Sequence, residues 1–304
     1  VMTRAFTIGG RLINDDEPCY VIAELSGNHG GSLDTAQELI RQAARAGATA
    51  VKLVKRDVLS LYAPSVLEQP YEHEHSFGAT YGAHRLALEF DSAQYAACQV
   101  TAAANQIALI ATAYDEASVD FLVGREVPAI KIHSGGVSDL PLLQYVARAG
   151  LPVLLSTGGC TLENLHAAHT VFTEAQCPLA LLHCTASYPL APAEANLRVI
   201  QRLRKLYPGT VIGWSTHHTG ISLSLAAYAL GARIIEHHVT LDRASKGTDH
   251  AFSLEPKGLA TLVDDLGKLR LALGDGVKRS YLSERLPLMK MRRVATPDGL
   301  RILR

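Results

Sequence analysis

The chain lacks a surplus of either charge: its 304 residues carry 29 basic and 29 acidic side chains. No bulk field therefore draws it to nucleic acid or to an anionic membrane, and its partners must be selected by local chemistry. Paired cysteines are also missing. The five present, Cys19, Cys98, Cys160, Cys177 and Cys184, are odd in number and scattered, without metal-ligand spacing. That pattern points to a reducing compartment, and the expected location is the cytoplasm. Val1 to Ile13 mixes Arg, Thr and Gly with no sustained apolar core, so no secretory leader is expected. The charge-free stretch Ser92 to Tyr114 is broken by Gln94, Gln99, Asn105 and Gln106, which makes it a poor spanning helix. Repeats and low-complexity segments are lacking too.

What the chain does have is 48% hydrophobic residues, enough for one large core. After a hairpin expected over 6–14, turning at Gly9-Gly10, short apolar runs alternate with longer amphipathic ones. Strands are expected at 19–25, 49–54, 107–112, 128–132, 152–156, 179–183, 210–214 and 233–238. Helices are expected at 33–46, 91–104, 116–124, 139–149, 161–175, 193–206, 219–230 and 256–274. Ala-Gly at 46–47 and 149–150 and Leu-Gly at 230–231 fit helix ends, while Asp139 and Thr161 with Asn164 fit helix starts. Eight βα units predict an α/β fold, a (β/α)8 TIM barrel over 1–280, with an open doubly wound sheet as the competing arrangement. Residues 281–304 read as a charged, irregular tail. The excursion at 55–90, rich in Tyr, His and Glu, reads as a lid or substrate loop, or else a solvated surface loop.

Barrel enzymes carry their chemistry at the C-terminal strand ends. Here those positions hold Glu24, Lys52, Thr112, Lys131, Ser156, His183, Ser215 with His217, and Glu236 with His238. Lys52 and Lys131 supply positive charge. Ser134, Ser156 and Thr157 supply hydroxyls beside Gly135, Gly136, Gly158 and Gly159, and a helix starting after Thr161 would aim its positive end the same way. This set suits a phosphate or carboxylate. Strand parity turns His217 to the same side as Ser215 and His238 to the same side as Glu236, leaving His218 and His237 to face elsewhere. Two imidazoles with oxygen neighbours suit a borderline divalent ion such as Mn, Co, Zn or Fe; ordinary hydrogen-bonded histidines are the alternative. His29 fits a structural or substrate-positioning role better than a ligand's. Cys184 fits a small buried hydrophobe better than a nucleophile.

The stretches IAELSGNHGGS (22–32), AGATAVKL (46–53), ATYGAHR (79–85), IKIHSGG (130–136), LSTGG (155–159), LLHCTASYP (181–189), GWSTHHTG (213–220), IIEHHVTLD (234–242) and GTDHAFSLEP (247–256) resemble, in order, those of the sialic acid synthases. Those enzymes condense phosphoenolpyruvate with an N-acylated hexosamine. The resemblance implies a (β/α)8 barrel with His217 and His238 as metal ligands and catalytic residues. It implies Glu24 as the essential acidic residue near the reacting carbons. Lys52, Thr112, Lys131, Ser134, Ser156 and Ser215 would hold phosphoenolpyruvate, and Tyr188 and Asp249 would lie on the sugar side. The expected cofactor is a divalent metal, Mn2+ ahead of Mg2+ or Co2+. The expected partners are phosphoenolpyruvate, a sugar aldehyde and a second copy in a homodimer.

The departures from that pattern gather at the sugar end. Val54 stands where the family has a glutamine, Ala186 where Asn is frequent, Thr216 where Asp precedes the metal histidine, and His237 where a lysine separates Glu from His. A small antifreeze-like domain that follows the barrel in the family is not seen after the linker-like Arg292-Arg293, as expected of a natural absence or of an isolated catalytic domain. A site that hydrogen-bonds one particular group discriminates strongly, so these changes bear on the acceptor more than on phosphoenolpyruvate. Two rivals stand beside this reading. One is a condensing enzyme for another aldose or aldose phosphate; the other is an inactive barrel kept as a binding or scaffold subunit.

Overall fold

The computed structural model describes residues 4–302. Two compact units divide the chain, one ending at Leu269 and the other starting at Arg270. The first opens with strands β1 (Phe6–Ile8) and β2 (Arg11–Ile13), paired antiparallel across Gly9 and Gly10. Both glycines have positive φ, 55° and 78°, as a two-residue hairpin turn requires. Eight strands follow: β3 (Tyr20–Glu24), β4 (Ala50–Lys55), β5 (Ala108–Ala113), β6 (Ile130–Ile132), β7 (Val153–Ser156), β8 (Leu179–His183), β9 (Val211–Thr216) and β10 (Ile234–His238). All neighbouring pairs are parallel, and β10 pairs with β3 to close the barrel. The arrangement is the (β/α)8 TIM barrel expected from the alternation, not the open sheet.

The surrounding helices are Leu33–Arg45, Ser92–Ala104, Glu116–Gly124, Leu140–Arg148, Leu162–Glu174, Arg198–Leu206, Ser222–Ala229 and Pro256–Leu273. Their ends obey local chemistry. Asp139 accepts the Leu142 amide, and Thr161 and Asn164 cap each other reciprocally. Two helices begin later than expected, because Pro192–Glu194 forms a separate 3-10 turn and Gly220 takes φ 95°. Among the described residues no helix is long and apolar enough to cross a membrane.

Strand alternation sorts the core into two layers. Tyr20, Ile22, Ala50, Ile110, Leu154, Ala180, Leu182, Val211 and Ile234 form one apolar cluster, and their sequence neighbours Val21, Val51, Ala111, Leu155, Leu181, Ile212 and Ile235 belong to the cluster packed with the helices. Phe6, Ile8 and Ile13 of the hairpin join the first cluster. The inner layer is therefore sealed at the N-terminal end by apolar side chains and left to polar residues at the other end. The hairpin's exit is tied down where Asp15 accepts both terminal nitrogens of Arg204 at 2.9 Å, with Arg4 at 3.3 Å and Arg233 at 3.1 Å. Gly213 marks how tightly the inner layer fills: a Cβ there would lie 2.2 Å from the Leu182 side chain and 2.8 Å from the Ile234 carbonyl.

The excursion at 55–90 is ordered into short helices at Val58–Leu61, Pro64–Leu67 and Tyr81–Leu88. The second unit holds a helix, Arg285–Met291, and an antiparallel pair, β11 (Arg293–Thr296) with β12 (Gly299–Ile302). An irregular tail was expected there. The overlooked signal is Pro297-Asp298-Gly299, a turn tripeptide between two short alternating runs, with Gly299 at φ 104°.

Candidate active site

The inward positions at the C-terminal strand ends carry a buried quartet of opposite charges. Register sets Glu24 of β3 opposite Lys52 of β4, and the two form an ion pair. Lys52 Nζ also donates to Thr112 Oγ1 at 2.8 Å and lies 3.8 Å from Glu236. Across the barrel, Lys131 Nζ donates to both oxygens of Glu236 at 3.0 and 2.9 Å, and Ser215 Oγ donates to Glu236 Oε1 at 3.0 Å. All four charged side chains are at most 6% exposed. Burial works against the ionised form of Glu236, yet Lys131 and Lys52 hold its pKa at about 2. Glu24 is likewise raised by burial and brought below the usual carboxylate range by Lys52. Burial pulls Lys52 down, but Glu236 and Glu24 more than reverse it; for Lys131 burial prevails and its ammonium is weakened.

Hydroxyls line the same wall. Gly158 N donates to Ser134 Oγ at 3.0 Å, a contact that any Cβ at 158 would crowd, since it would sit 2.7 Å from that oxygen. Ser156 Oγ is buried with no protein partner, so the cavity holds a polar atom that only a ligand or solvent can satisfy.

Beside this cradle the rings of His217 and His238 stand with centroids 5.3 Å apart. His217 Nδ1 donates to the Thr185 carbonyl at 3.2 Å, which leaves Nε2 with its lone pair. Burial, then the neighbouring His238, depresses the His217 pKa to about 3, so the ring stays neutral as a metal ligand must. His238 Nδ1 has no hydrogen-bond partner and faces Asp249 Oδ2 at 3.7 Å. Tyr188 packs against His217 with centroids 3.8 Å apart and the rings tilted by 34°, and Phe252 edges both imidazoles. Among the described residues no group of three or more His, Cys, Asp or Glu side chains converges as a metal cage. The donor set thus fits a divalent ion only with two imidazoles from the chain and the remaining positions given to water and substrate oxygens.

One cavity of about 190 Å³ is lined by all the residues that the resemblance assigns to the site: Glu24, Lys52, Thr112, Lys131, Ser134, Ser156, Ser215, His217, His238, Tyr188 and Asp249. Three expectations fail in detail. His183 sits on the outward parity of β8, with Nε2 on the Ala195 carbonyl and its ring 5.2 Å from buried Trp214; Cys184 takes the inward place. Thr157 bonds the Leu182 carbonyl and, with Thr161 at the start of helix Leu162–Glu174, lines a separate cavity of about 300 Å³. That helix is no part of the anion cradle's wall. His237 and His218 do face away, His237 being fully buried against the Gly220 carbonyl.

Sequence reasoning left Glu236 without a role, although parity had aligned it with His238. Its partner Lys131 lies 105 residues away across the barrel, a pairing no local pattern reveals. The same reasoning read the excursion at 55–90 as a lid or substrate loop but named none of its residues as lining the site. Tyr71, His75, Phe77, His84, Arg85 and Glu89 from the excursion line the cavity, with Arg56, Tyr114, His133 and His29. His133 stacks on Tyr114 at 3.9 Å, and the Arg56 guanidinium lies 4.3 Å from the same Tyr114 ring on which it rests. The segment at 55–90 is therefore a wall of the site.

Comparison with known proteins identifies the family. The family model described as "NeuB family" matches residues 39–278. The human N-acetylneuraminate-9-phosphate synthase is 38% identical over 95% of this chain and 82% of its own length. The Campylobacter jejuni N,N'-diacetyllegionaminic acid synthase is 35% identical over 87% of this chain and 80% of its own. The crystal structure of N-acetylneuraminic acid synthetase from Leptospira borgpetersenii, in complex with citrate, superposes with a TM-score of 0.82 at 33% identity, covering 94% of this chain and 96% of that one. With sequence, barrel and strand-end cavity in accord, the chain belongs to the NeuB family and is a condensing synthase of the transferase type.

Proposed function

We propose that this enzyme condenses phosphoenolpyruvate with the aldehyde of an open-chain sugar, joining C3 of the enol phosphate to the aldehyde carbon and releasing phosphate. The observation that carries this reading is the juxtaposition of two buried ammonium groups, Lys52 and Lys131, and an unsatisfied Ser156 hydroxyl with the paired rings of His217 and His238. The first group is suited to a carboxylate and phosphate on one small molecule, the second to a divalent ion, for which Mn2+ is our choice. When bound, that ion polarises the aldehyde oxygen and favours negative charge on it. Lys52, Lys131, Thr112, Ser134, Ser156 and Ser215 hold and orient the enol phosphate.

After C–C bond formation the former C2 of the enol phosphate is electron-poor, and water adds to it. Glu24 takes one proton from that water. Its readiness to do so follows from the charges around it: a substrate anion that draws Lys52 away leaves Glu24 buried without its partner, and burial then raises its proton affinity. Collapse of the adduct breaks the bond from C2 to the bridging oxygen, which leaves with phosphate and takes up the C2 hydroxyl proton as C2 becomes a ketone, while the proton on Glu24 passes to the alkoxide formed from the aldehyde. Phosphoenolpyruvate labelled in that oxygen should deliver the label to inorganic phosphate; label kept in the keto acid would overturn the sequence of bonds. The relatives' names differ over the acceptor, one naming a phosphorylated product and the other none. Val54 lines the cavity where the resemblance expects a glutamine, so the acceptor contacts differ from the usual pattern.

A further inference from the structure

We propose that the separate cavity of about 300 Å³ on the outward side of β7 and β8 is a second ligand site, suited to a hydroxylated carboxylate and coupled to the imidazole pair through Thr185. Alternation along the strand ends divides the two chambers. Ser156 and Cys184 face the catalytic cavity, while their sequence neighbours Thr157, His183 and Thr185 line the outer one. Cys184 lines both, so a single residue separates them at that point. The other wall comes from helices Leu162–Glu174 and Arg198–Leu206.

The lining sets the chemistry of the ligand. Thr157 Oγ1 donates to the Leu182 carbonyl at 3.3 Å and Thr185 Oγ1 to the Glu194 carbonyl at 3.0 Å, so each hydroxyl has spent its proton and offers only lone pairs. The Glu194 carboxylate, another lining group, is likewise an acceptor. A ligand facing these three must bring hydrogen-bond donors. Hydroxyls on a carbon chain supply them, while the chain itself rests on Leu162, Leu165 and Leu203. Arg202 adds the charge. It is exposed, and among the described residues it has no carboxylate within ion-pair distance, which leaves its planar fork for a carboxylate on the ligand. Inorganic phosphate has the charge but too few protons for the threonines, and a neutral polyol has the donors without the charge.

The coupling runs through the Thr185 carbonyl, which accepts from His217 Nδ1 at 3.2 Å and from the Ser187 amide at 2.9 Å. The segment continues to Tyr188, which packs against His217. A ligand seated against Thr185 holds residues 184–188 from behind and opposes any shift of them as the acceptor enters, so it lowers kcat and leaves the KM for phosphoenolpyruvate unchanged. This coupling rests on the condensing reading above; the site itself does not.

Cys160 gives a readout that needs no turnover. It lines the outer cavity and is half-buried, whereas Cys19, Cys98, Cys177 and Cys184 are buried, so it is the thiol that N-ethylmaleimide should reach first. Burial pushes its pKa up, and alkaline pH therefore speeds the reaction. N-acetylneuraminate and gluconate are the probes, with inorganic phosphate and sorbitol as controls, all under excess phosphoenolpyruvate to occupy the catalytic cavity. At about ten times its Kd, a ligand in the outer cavity should slow alkylation of Cys160 about tenfold. In turnover assays it should cut kcat about fivefold. Arg202→Ala and the cavity-filling Val199→Trp should each abolish protection, and Arg202→Ala should keep wild-type melting and basal turnover. Protection by either acid that both variants lose upholds the site, and protection by gluconate alone assigns it to the shorter sugar acids. No protection by either acid, equal protection by phosphate or sorbitol, or protection that survives Arg202→Ala overturns it. Protection with an unchanged kcat refutes the coupling. If no acceptor supports phosphate release, the condensing reading fails, and the alkylation rates still decide the site.

Discussion

Replacing Glu236 by Gln keeps the shape of the side chain and removes one charge from the centre of the quartet. The carboxylate now receives Lys131 on both oxygens and Ser215 on one, with Lys52 at 3.8 Å. A Gln amide has only one oxygen to offer, so whichever way it is turned its NH2 faces the Lys131 ammonium. Lys131 is left buried with half its compensation gone, and breaking such a pair from one side costs about 3–5 kcal/mol. At about 2.1 cal/mol/K per residue, 304 residues melt with an entropy of about 0.64 kcal/mol/K, so Tm should fall by about 5–8 °C. The proposed substrate moves the other way. With one negative charge gone the cradle has net positive charge, and phosphoenolpyruvate should bind at least about tenfold tighter, about 1.4 kcal/mol. Thermal melts in EDTA, with and without phosphoenolpyruvate, read both effects without the metal. A variant that melts with the wild type refutes the energetic role of the pair. A smaller substrate-induced shift than in the wild type refutes the account of the cradle.

His217→Ala removes one of the two paired imidazoles and should lower phosphate release by about 100-fold or more, the scale of losing a metal's share of charge stabilisation; full turnover with metal still bound would remove the assignment. Gly213→Ala forces a Cβ into Leu182 and the Ile234 carbonyl and should cost about 1–3 kcal/mol in urea denaturation, part of it recovered by Leu182→Ala. Asp15 has a pKa below the ordinary carboxylate range, burial being outweighed by the hydrogen bond and charge of Arg204, with Arg233 and Arg4 adding to it. A depressed folded value means that its contribution is full above the unfolded pKa and fades as pH falls through the folded one. Being partly exposed, it contributes only about 1 kcal/mol or less, so Asp15→Asn should flatten the stability curve slightly below about pH 4. An unchanged acid limb in that variant would show that the arginines do not hold the carboxylate.

Much of this was legible in the chain because a barrel turns sequence parity into geometry. Once β10 is a strand, Glu236 and His238 must share a face and His237 must take the other, and the same rule pairs Ser215 with His217. Parity also explains the error at His183. Its strand ends one residue short of the cavity's polar layer, so the inward place falls to Cys184, which looked like a bystander. Reading polar character before phase selected the wrong neighbour. The excursion at 55–90 was legible as a lid or substrate loop but not residue by residue, for a different reason. Its wall is built by contacts such as Tyr71 with His84 and Arg56 with Glu89, which follow neither a helical nor a strand period.

The quartet also ties the site to barrel closure. Glu24 and Lys52 meet through register on adjacent strands, so that pair can form wherever β3 and β4 have joined. Lys131 and Glu236 meet only across the finished barrel, from β6 to β10. A buried ammonium without its counter-charge is costly, and two of them on neighbouring inward positions would be worse. Each lysine therefore needs a carboxylate from the chain itself until an anion arrives, and the second carboxylate comes from the last strand of the barrel. Closing β10 against β3 delivers Glu236 to Lys131 and, in the same step, His238 opposite Glu24. The cradle and the imidazole pair are thus completed by one event, so a chain that fails to close its barrel lacks both the charge-compensated resting state of the lysines and the second histidine.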